Sequence, residues 1–528
     1  MRGEKNMATG TEGFAAQVAA QVWGHRFMDG QRGPEYVLEF LNVLVGADYQ
    51  LNSDKYKREK AEGFRKFIFE GDKEGSKNGI VKLEENKKEK LYEIIGDKDR
   101  VAVVREFFRN LEVPLYDGKG NLANRSWYAK SLYPLHESLL FFELRKKGEN
   151  VSYERNFFAR GGELYYLMLS YGTEHARDIR GEIQNRMREL LQKNKPISNI
   201  VKKMKEILDG DVETKDSDYG LLKKDPNTKR EYPELPVTDH PLFPEFAKEF
   251  HQLIHLKLEI NEMFHLLVSL VCFQLARYMY DRTKQCIDDR VLMFVDCMDG
   301  QVSQILKLSA QSFQQNEIMI QQMFNRMIKE QFIMKIKEIE EQIGGLEQWR
   351  QNPKQFFEYV GFGKTKNGKQ RIEKLLNMCK SVDDFVDQAA DVVQEIVSSQ
   401  LKKHQLAVVR GVIRDGGMGG FRVGTNYRYF MTDKFVEMLV LTNVEPQCSV
   451  EFSEFLSLIY TKYGFVIGEE QAKISGLYEQ SRLNISYFQR NENALREKLK
   501  KNGLLIEYSD ATAMIKNPYQ SIKEKVIL

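Results

Sequence analysis

The chain has 528 residues, with 79 basic and 76 acidic side chains and a net charge of only +3. That length exceeds what one hydrophobic core ordinarily fills and predicts roughly two to four domains, while 42% hydrophobic and 11% aromatic content excludes a disordered polypeptide. The near balance of charge excludes a globally polybasic coat protein or membrane binder, so any DNA contact must come from a local basic face.

Helical patterning dominates from the start. Pro34 stands at a favourable first-turn position and Gly46 at a stop, predicting a helix over 34–45. Ahead of it, His25, Arg26, Asp29, Arg32 and Glu35 surround two glycines. This polar density reads as a buried turn with paired charges, or as an anion site at a helix start. Phe64, Phe67 and Ile68 repeat three-four spacing, 71–100 reads as loop or solvated helix, and the aromatic stretch 125–145 predicts a helix from Pro134.

Between 209 and 245 lie five of the 12 prolines, with Asp, Asn, Gly and Thr between them. Proline removes backbone donors and stops helices, so this is the expected linker after an N-terminal helical domain, 1–208. A long-helix bundle is expected over 246–410. Its first helix, 245–282, contains the apolar run Leu266–Ala276, too short for the ~20 residues that cross a bilayer. It predicts a buried helix and no membrane contact. A second, over 301–343, places Ile320, Phe324, Met327, Ile336, Ile339 and Ile343 at helical spacing and suggests a bundle or antiparallel hairpin.

The five cysteines, Cys272, Cys286, Cys297, Cys379 and Cys448, form no C-x-x-C pair. They predict neither a disulfide framework nor a zinc ribbon. With an N-terminus lacking the apolar core of a signal peptide, they point to the cytoplasm.

Residues 411–426 form a glycine-rich loop flanked by Arg410, Arg414 and Arg422. It fits neither G-x-G-x-x-G nor a P-loop, and GFGKT at 361–365 lacks the first glycine of a Walker A motif, so no nucleotide cofactor is expected. Beyond it, 427–528 reads as a winged-helix-like α+β domain. Thr432-Asp433 caps one helix, helical pattern recurs at 452–463, 469–481 and 490–502, and a hairpin turns at Ser509-Asp510. The last helix would present Arg490, Asn493, Arg496, Lys500 and Lys501. Asn493, Arg496 and Lys500 share a face by three-four spacing, Arg and Asn suiting base edges and Lys suiting phosphate. Arg414 and Arg422 add a second expected backbone contact. The competing reading is a protein-docking module with a solvated basic face.

Catalytic patterns are thin. His251, His255, Glu259, Glu262 and His265 give one E-x-x-H, where a di-metal bundle needs two, and Gln252 replaces the glutamate of H-E-x-x-H. Interhelical hydrogen bonding, with no metal, is the expectation. Asp296 and Asp299 read as caps of the helix beginning near Gln301 rather than as metal ligands.

The C-terminal sequences RYFMTDKFVEMLV, FSEFLSLIYTKYGFVIG and ALREKLKKNGLLIEYSDATAMIKNPY resemble the closing winged-helix region of accessory proteins in bacterial anti-phage operons. HRFMDGQRGPEYVLEFLNVL near the N-terminus gives a similar impression. The resemblance implies an antiviral defence assembly whose motor or nuclease is another chain. The resulting expectation is a mainly α, multidomain, non-catalytic subunit bridging protein partners of the same operon and double-stranded DNA. A metal-dependent nuclease and a purely structural helical scaffold are the rivals.

Overall fold

The computed structural model describes residues 11–522 apart from 25–26, 28–29, 75–78, 118–119, 124, 142–143, 148–149, 154–159, 211–213, 218–234, 236, 285–289, 361–365, 422–425 and 509–512. His25, Arg26, Asp29, Cys286, the 361–365 glycines, Arg422 and the Ser509-Asp510 turn therefore lie outside the described residues.

The protein is mainly α, built around one helix, Ile260–Asp281. It is apolar on all sides, and such a helix is stable only when enclosed. Helices Gly33–Gly46, Val382–Asp415 and Asp433–Asn443 pack on it. Its buried polar groups are satisfied within the core. Gln274 accepts from Tyr165 Oη (2.6 Å) and donates to Glu249 (2.7 Å). The Arg277 guanidinium lies over the rings of Phe246, Phe273 and Tyr463 and pairs with Glu245 at 2.8 Å. A buried charge is tolerable only with such partners. The expected single helix over 245–282 is two: Leu242–Ile254 ends at His255, and the chain restarts at Ile260 after an extended Glu259 that forms a capping box with Glu262.

Ser303–Ile343, 41 residues long, and Val382–Asp415 form the expected antiparallel hairpin. Side-chain pairs run in opposite order along the two: Lys329 with Asp391 (2.6 Å), Asn325 with Ser398 (2.7 Å) and Glu317 with Arg410 (2.5 Å). Ile320, Phe324, Ile336 and Ile339 are buried along the seam. Helices Leu346–Gln351, Pro353–Val360 and Lys366–Met378 close its far end, where Trp349, Phe356 and Phe385 pack ring against ring.

Near the N-terminus a smaller apolar cluster gathers helices Glu62–Ile68, Glu85–Ile95, Lys98–Arg109 and Lys195–Leu208 around Phe64, Phe67, Phe108 and Trp127. The helix expected from Pro134 does not form. Among its described residues that stretch has the short turn Glu137–Leu139, then strand Leu144–Lys147. His136 caps the turn through Ser138 N, and the Phe141 carbonyl accepts from the Asn42 side chain, so one local and one tertiary bond stand where intrahelical bonds were expected. Within the expected linker, Thr214–Asp216 pairs antiparallel with Lys57–Glu59.

The corner expected as a glycine-rich loop is partly helix, because Val382–Asp415 runs through Gly411. Gly419–Gly420 then pair with Arg428–Tyr429. A Cβ on Gly417 (φ +82°) would sit 2.2 Å from Thr432 Oγ1, and one on Gly419 would sit 2.7 Å from the Arg428 carbonyl oxygen. These glycines permit close approach of backbone, not a phosphate cradle.

The C-terminal region contains a three-stranded antiparallel sheet in the order Leu505–Glu507, Ala513–Lys516, Ser449–Glu451. Helices Asp433–Asn443, Phe452–Tyr463 and Ile485–Lys501 accompany it, with two short helices, Glu469–Ile474 and Leu477–Ser481, between the last two. Thr432 caps the first as expected, its Oγ1 accepting from Phe435 N. The region is joined to the body by a parallel pairing of Met293–Phe294 with Phe465–Val466, and Phe294, Ile305, Val466 and Phe488 share one apolar cluster.

Candidate nucleic-acid interface

Helix Ile485–Lys501 is held on one side and open on the other. Asn484 starts it by accepting from Ser486 N (2.9 Å). Phe488, Asn491, Leu495 and Leu499 form the buried side. Asn491 is a clasp: its side-chain oxygen accepts from Cys297 N (2.9 Å), and its amide donates to the carbonyls of Val295 (2.8 Å) and Ile467 (3.0 Å). Lys498 donates to the Met431 carbonyl at 2.7 Å. That side chain is thereby committed inward, although Glu497 beside it is exposed.

The opposite side exposes Arg490, Asn493, Glu497, Lys500 and Lys501. Arg490, Asn493, Glu497 and Lys501 follow one another at three-four spacing and make a single stripe. Lys500 lies beside it and pairs with Glu507 of the following strand at 2.5 Å. Arg496 departs from the expected shared face. It is half-buried, with its guanidinium carbon 5.2 Å from the centre of the Phe452 ring. Glu492 beside it is half-buried too, and burial raises its carboxyl above the usual range against the pull of Arg496. A cleft of about 350 Å³ runs along the last turns, lined by Asp299, Asp433, Glu497, Lys498 and Lys501 among others. The interface therefore mixes acids with its cations.

Arg414 belongs to a different neighbourhood. Its Nε meets Asp415 Oδ1 at 2.7 Å, and the other Asp415 oxygen accepts from Gly33 N at 2.9 Å. Around the same helix start, Arg125 bridges the Gly30 carbonyl and Glu35, both at 2.6 Å. Of the five residues read from sequence, Arg32 and Glu35 are described: Arg32 is half-buried, and Glu35 is buried and paired with Arg125. Deeper in, Glu39 accepts from Gly162 N (2.9 Å) and Gln31 (3.1 Å). Burial and the neighbouring Glu163 push its carboxyl up to about 8. Sequence reasoning missed this pair, because Glu39 and Glu163 look like ordinary helix carboxylates until the helices meet.

Asp296 and Asp299 do not cap the long helix, whose first flanking residue is Val302. Asp296 instead accepts from Met298 N and forms a wholly buried ion pair with Arg428, both at 2.9 Å. The five residues His251 to His265 do not converge. Glu259 pairs with Lys193 at 2.5 Å, while Glu262 and His265 line a separate cleft of about 510 Å³ with Tyr133 and Tyr519. His251 and His255 do stay together, and His251 makes the expected interhelical contact, to Glu182 at 2.5 Å. A third cleft, of about 210 Å³, is lined by Arg277, Lys284, Arg290 and Lys462. Lys284 faces Asp281 (2.7 Å) and Lys462 faces Glu249 (2.7 Å). Burial works to raise Glu249, but Arg277 and Lys462 hold it below the usual range.

No family model matches the chain, and neither a curated protein nor a solved structure matches it. Any functional reading beyond the sequence resemblance therefore rests on this geometry alone.

Proposed function

We propose that the chain is a non-catalytic subunit of a bacterial anti-phage defence or DNA-processing complex, bridging protein partners and duplex DNA. One observation carries the DNA part: Arg490, Asn493, Lys500 and Lys501 face solvent on a helix whose other side is fastened to the body. From Asp433 the order is helix, strand, helix, a two-residue strand, two short helices, then this helix and a final antiparallel strand pair; on the winged-helix reading this helix takes the place of the third, which can enter a major groove. In that docking, Arg490 and Asn493 meet base edges near the helix start, and Lys500 and Lys501 meet phosphates. The defence context and the bridging of operon partners rest on the sequence resemblance.

The test is fluorescence anisotropy of a labelled duplex with the full chain across a salt series. Binding that weakens steeply with salt supports the reading, as does a slope that falls by roughly 0.9 for each phosphate left unneutralised in the double variant Lys500→Ala, Lys501→Ala. No duplex binding at low salt, or unchanged binding in a combined Arg490→Ala, Lys500→Ala, Lys501→Ala variant, overturns it.

A further inference from the structure

Helix Leu242–Ile254 carries His251 in its last turn, and His255 follows immediately as its C-terminal cap. One helical turn apart, the two imidazoles overlap with ring centres 4.1 Å apart and planes tilted by 34°. Glu182, on helix Arg177–Gln192, approaches from across the helix pair. One ligand atom from each of the three lies within 4.8 Å of the others. Among the described residues, this is the one group of three His, Cys, Asp or Glu side chains whose ligand atoms converge so closely.

The surroundings prepare these groups for a cation. His255 Nδ1 donates to the His251 carbonyl oxygen at 2.7 Å, which fixes the tautomer and leaves Nε2 as the lone-pair nitrogen. A backbone carbonyl holding the second ring nitrogen is the usual support of a metal-binding histidine. One turn beyond Glu182, Arg186 Nε donates to the Ile254 carbonyl at 2.9 Å and pins the two helices in register. His251 and Glu182 are half-buried, while His255 is buried at 7% exposure, so the cluster has a dry floor and a wet mouth.

We propose that Glu182, His251 and His255 bind a first-row divalent cation of borderline softness, Zn²⁺ above all. Two imidazole nitrogens and one carboxylate oxygen suit zinc, cobalt, nickel or copper better than magnesium or calcium. Bonds of ~2.0–2.1 Å in a tetrahedron set ligand atoms about 3.3 Å apart, so small rotations close the group around an ion and open the His251–Glu182 contact. Water from the exposed side takes the fourth position.

The ion's place in the fold suggests its task. The His255 carbonyl accepts from Ile522 N (2.9 Å), and Lys257 N donates to the Gln520 carbonyl (2.8 Å), so the C-terminal tail seats on the segment that holds the site. A cation joining helices Arg177–Gln192 and Leu242–Ile254 stiffens that seat. The inference is independent of the DNA reading.

The experiment uses the full chain, dialysed against chelator and titrated with Co²⁺ by visible absorption and with Zn²⁺ by calorimetry, beside His251→Gln and Glu182→Gln. The expected result is one equivalent bound at micromolar free Zn²⁺ with a rise in melting temperature. Each variant should bind that equivalent more than roughly tenfold more weakly, with a metal-free melt close to that of the parent. Circular dichroism checks folding; if His251→Gln does not fold, the half-exposed, isosteric Glu182→Gln decides alone. No saturable equivalent in the parent, or the same stoichiometry and affinity in a folded variant, overturns the proposal.

Discussion

Asp296 and Arg428, 132 residues apart in sequence, meet at 2.9 Å with neither side chain exposed to solvent. Arg428 belongs to the strand that pairs with Gly419–Gly420, and Asp296 follows the strand that pairs with Phe465–Val466. The ion pair thus ties the glycine corner to the edge of the C-terminal region. Burial raises the Asp296 carboxyl, and Arg428 pulls against that rise.

Asp296→Ala leaves the guanidinium buried without its carboxylate and should destabilise the protein by about 3–5 kcal/mol. Asp296→Ala combined with Arg428→Met should be markedly less destabilising, because no uncompensated charge remains. Urea titrations of the two variants check this; equal destabilisation would show that the charge itself is not what matters.

Asn491 is the second place where body and C-terminal region depend on one side chain. Asn491→Ala removes bonds to three backbone groups, one N–H and two carbonyls, all in a buried setting. An unsatisfied buried group costs about 1–3 kcal/mol, so a destabilisation of at least about 3 kcal/mol is expected. Asn493→Ala, on the exposed side, should stay within about 0.5 kcal/mol. Thermal or urea denaturation of the pair separates the two sides of one helix.

Glu39 predicts a pH effect. Folded, it keeps its proton up to about 8, against an ordinary value of 4.5, because it is buried beside Glu163. Between these values the folded chain holds more protons than the unfolded one, so this group lowers stability as pH rises through that window. Glu39→Gln, which retains an acceptor for Gly162 N, should gain on the parent as pH increases from about 5 to about 8.5. Melting temperatures at matched ionic strength test this, and a constant difference between the two proteins would contradict it.

Glu497 stands in the middle of the exposed stripe, between Asn493 and Lys501. On the DNA reading it repels phosphate, so Glu497→Gln should tighten duplex binding by about two- to fivefold at low salt, the scale of one exposed charge interaction. The gain should fade as salt is raised. Anisotropy titrations at two salt concentrations measure it; weaker binding by the variant would instead make Glu497 a direct contact, as for a carboxylate accepting from a cytosine amine.

Local signals carried much of the fold. Pro34 and Gly46 bracket a helix that forms over Gly33–Gly46, Thr432 caps Asp433–Asn443, and the two segments flanking Ser509-Asp510 pair antiparallel. These depend on neighbours within a turn or two, which periodicity reports. Distant partners are not reported. Pro134 onward has helical spacing, but the distant Asn42 takes the Phe141 carbonyl and a short local turn forms instead. Likewise the Asp296 and Glu39 environments come from residues more than a hundred positions away, 132 for Arg428 and 123 for Gly162. The basic helix was legible as a segment, yet its facing was only partly so. Arg496 stacks on Phe452, and Asn491 rather than Asn493 anchors the helix, because the direction of burial is set by strands elsewhere.

The short parallel pairing between Met293–Phe294 and Phe465–Val466 has a consequence for handling the protein. Excising 427–528 would strip a strand of its neighbour, bare Phe488 where Phe294 now covers it, and unseat the tail from His255 and Lys257. Such a fragment should be sticky and prone to self-association, and whatever it gripped would say little about the intact chain. The last long helix would also lose its packing against the 41-residue helix, which at 1.5 Å per residue is about 60 Å long.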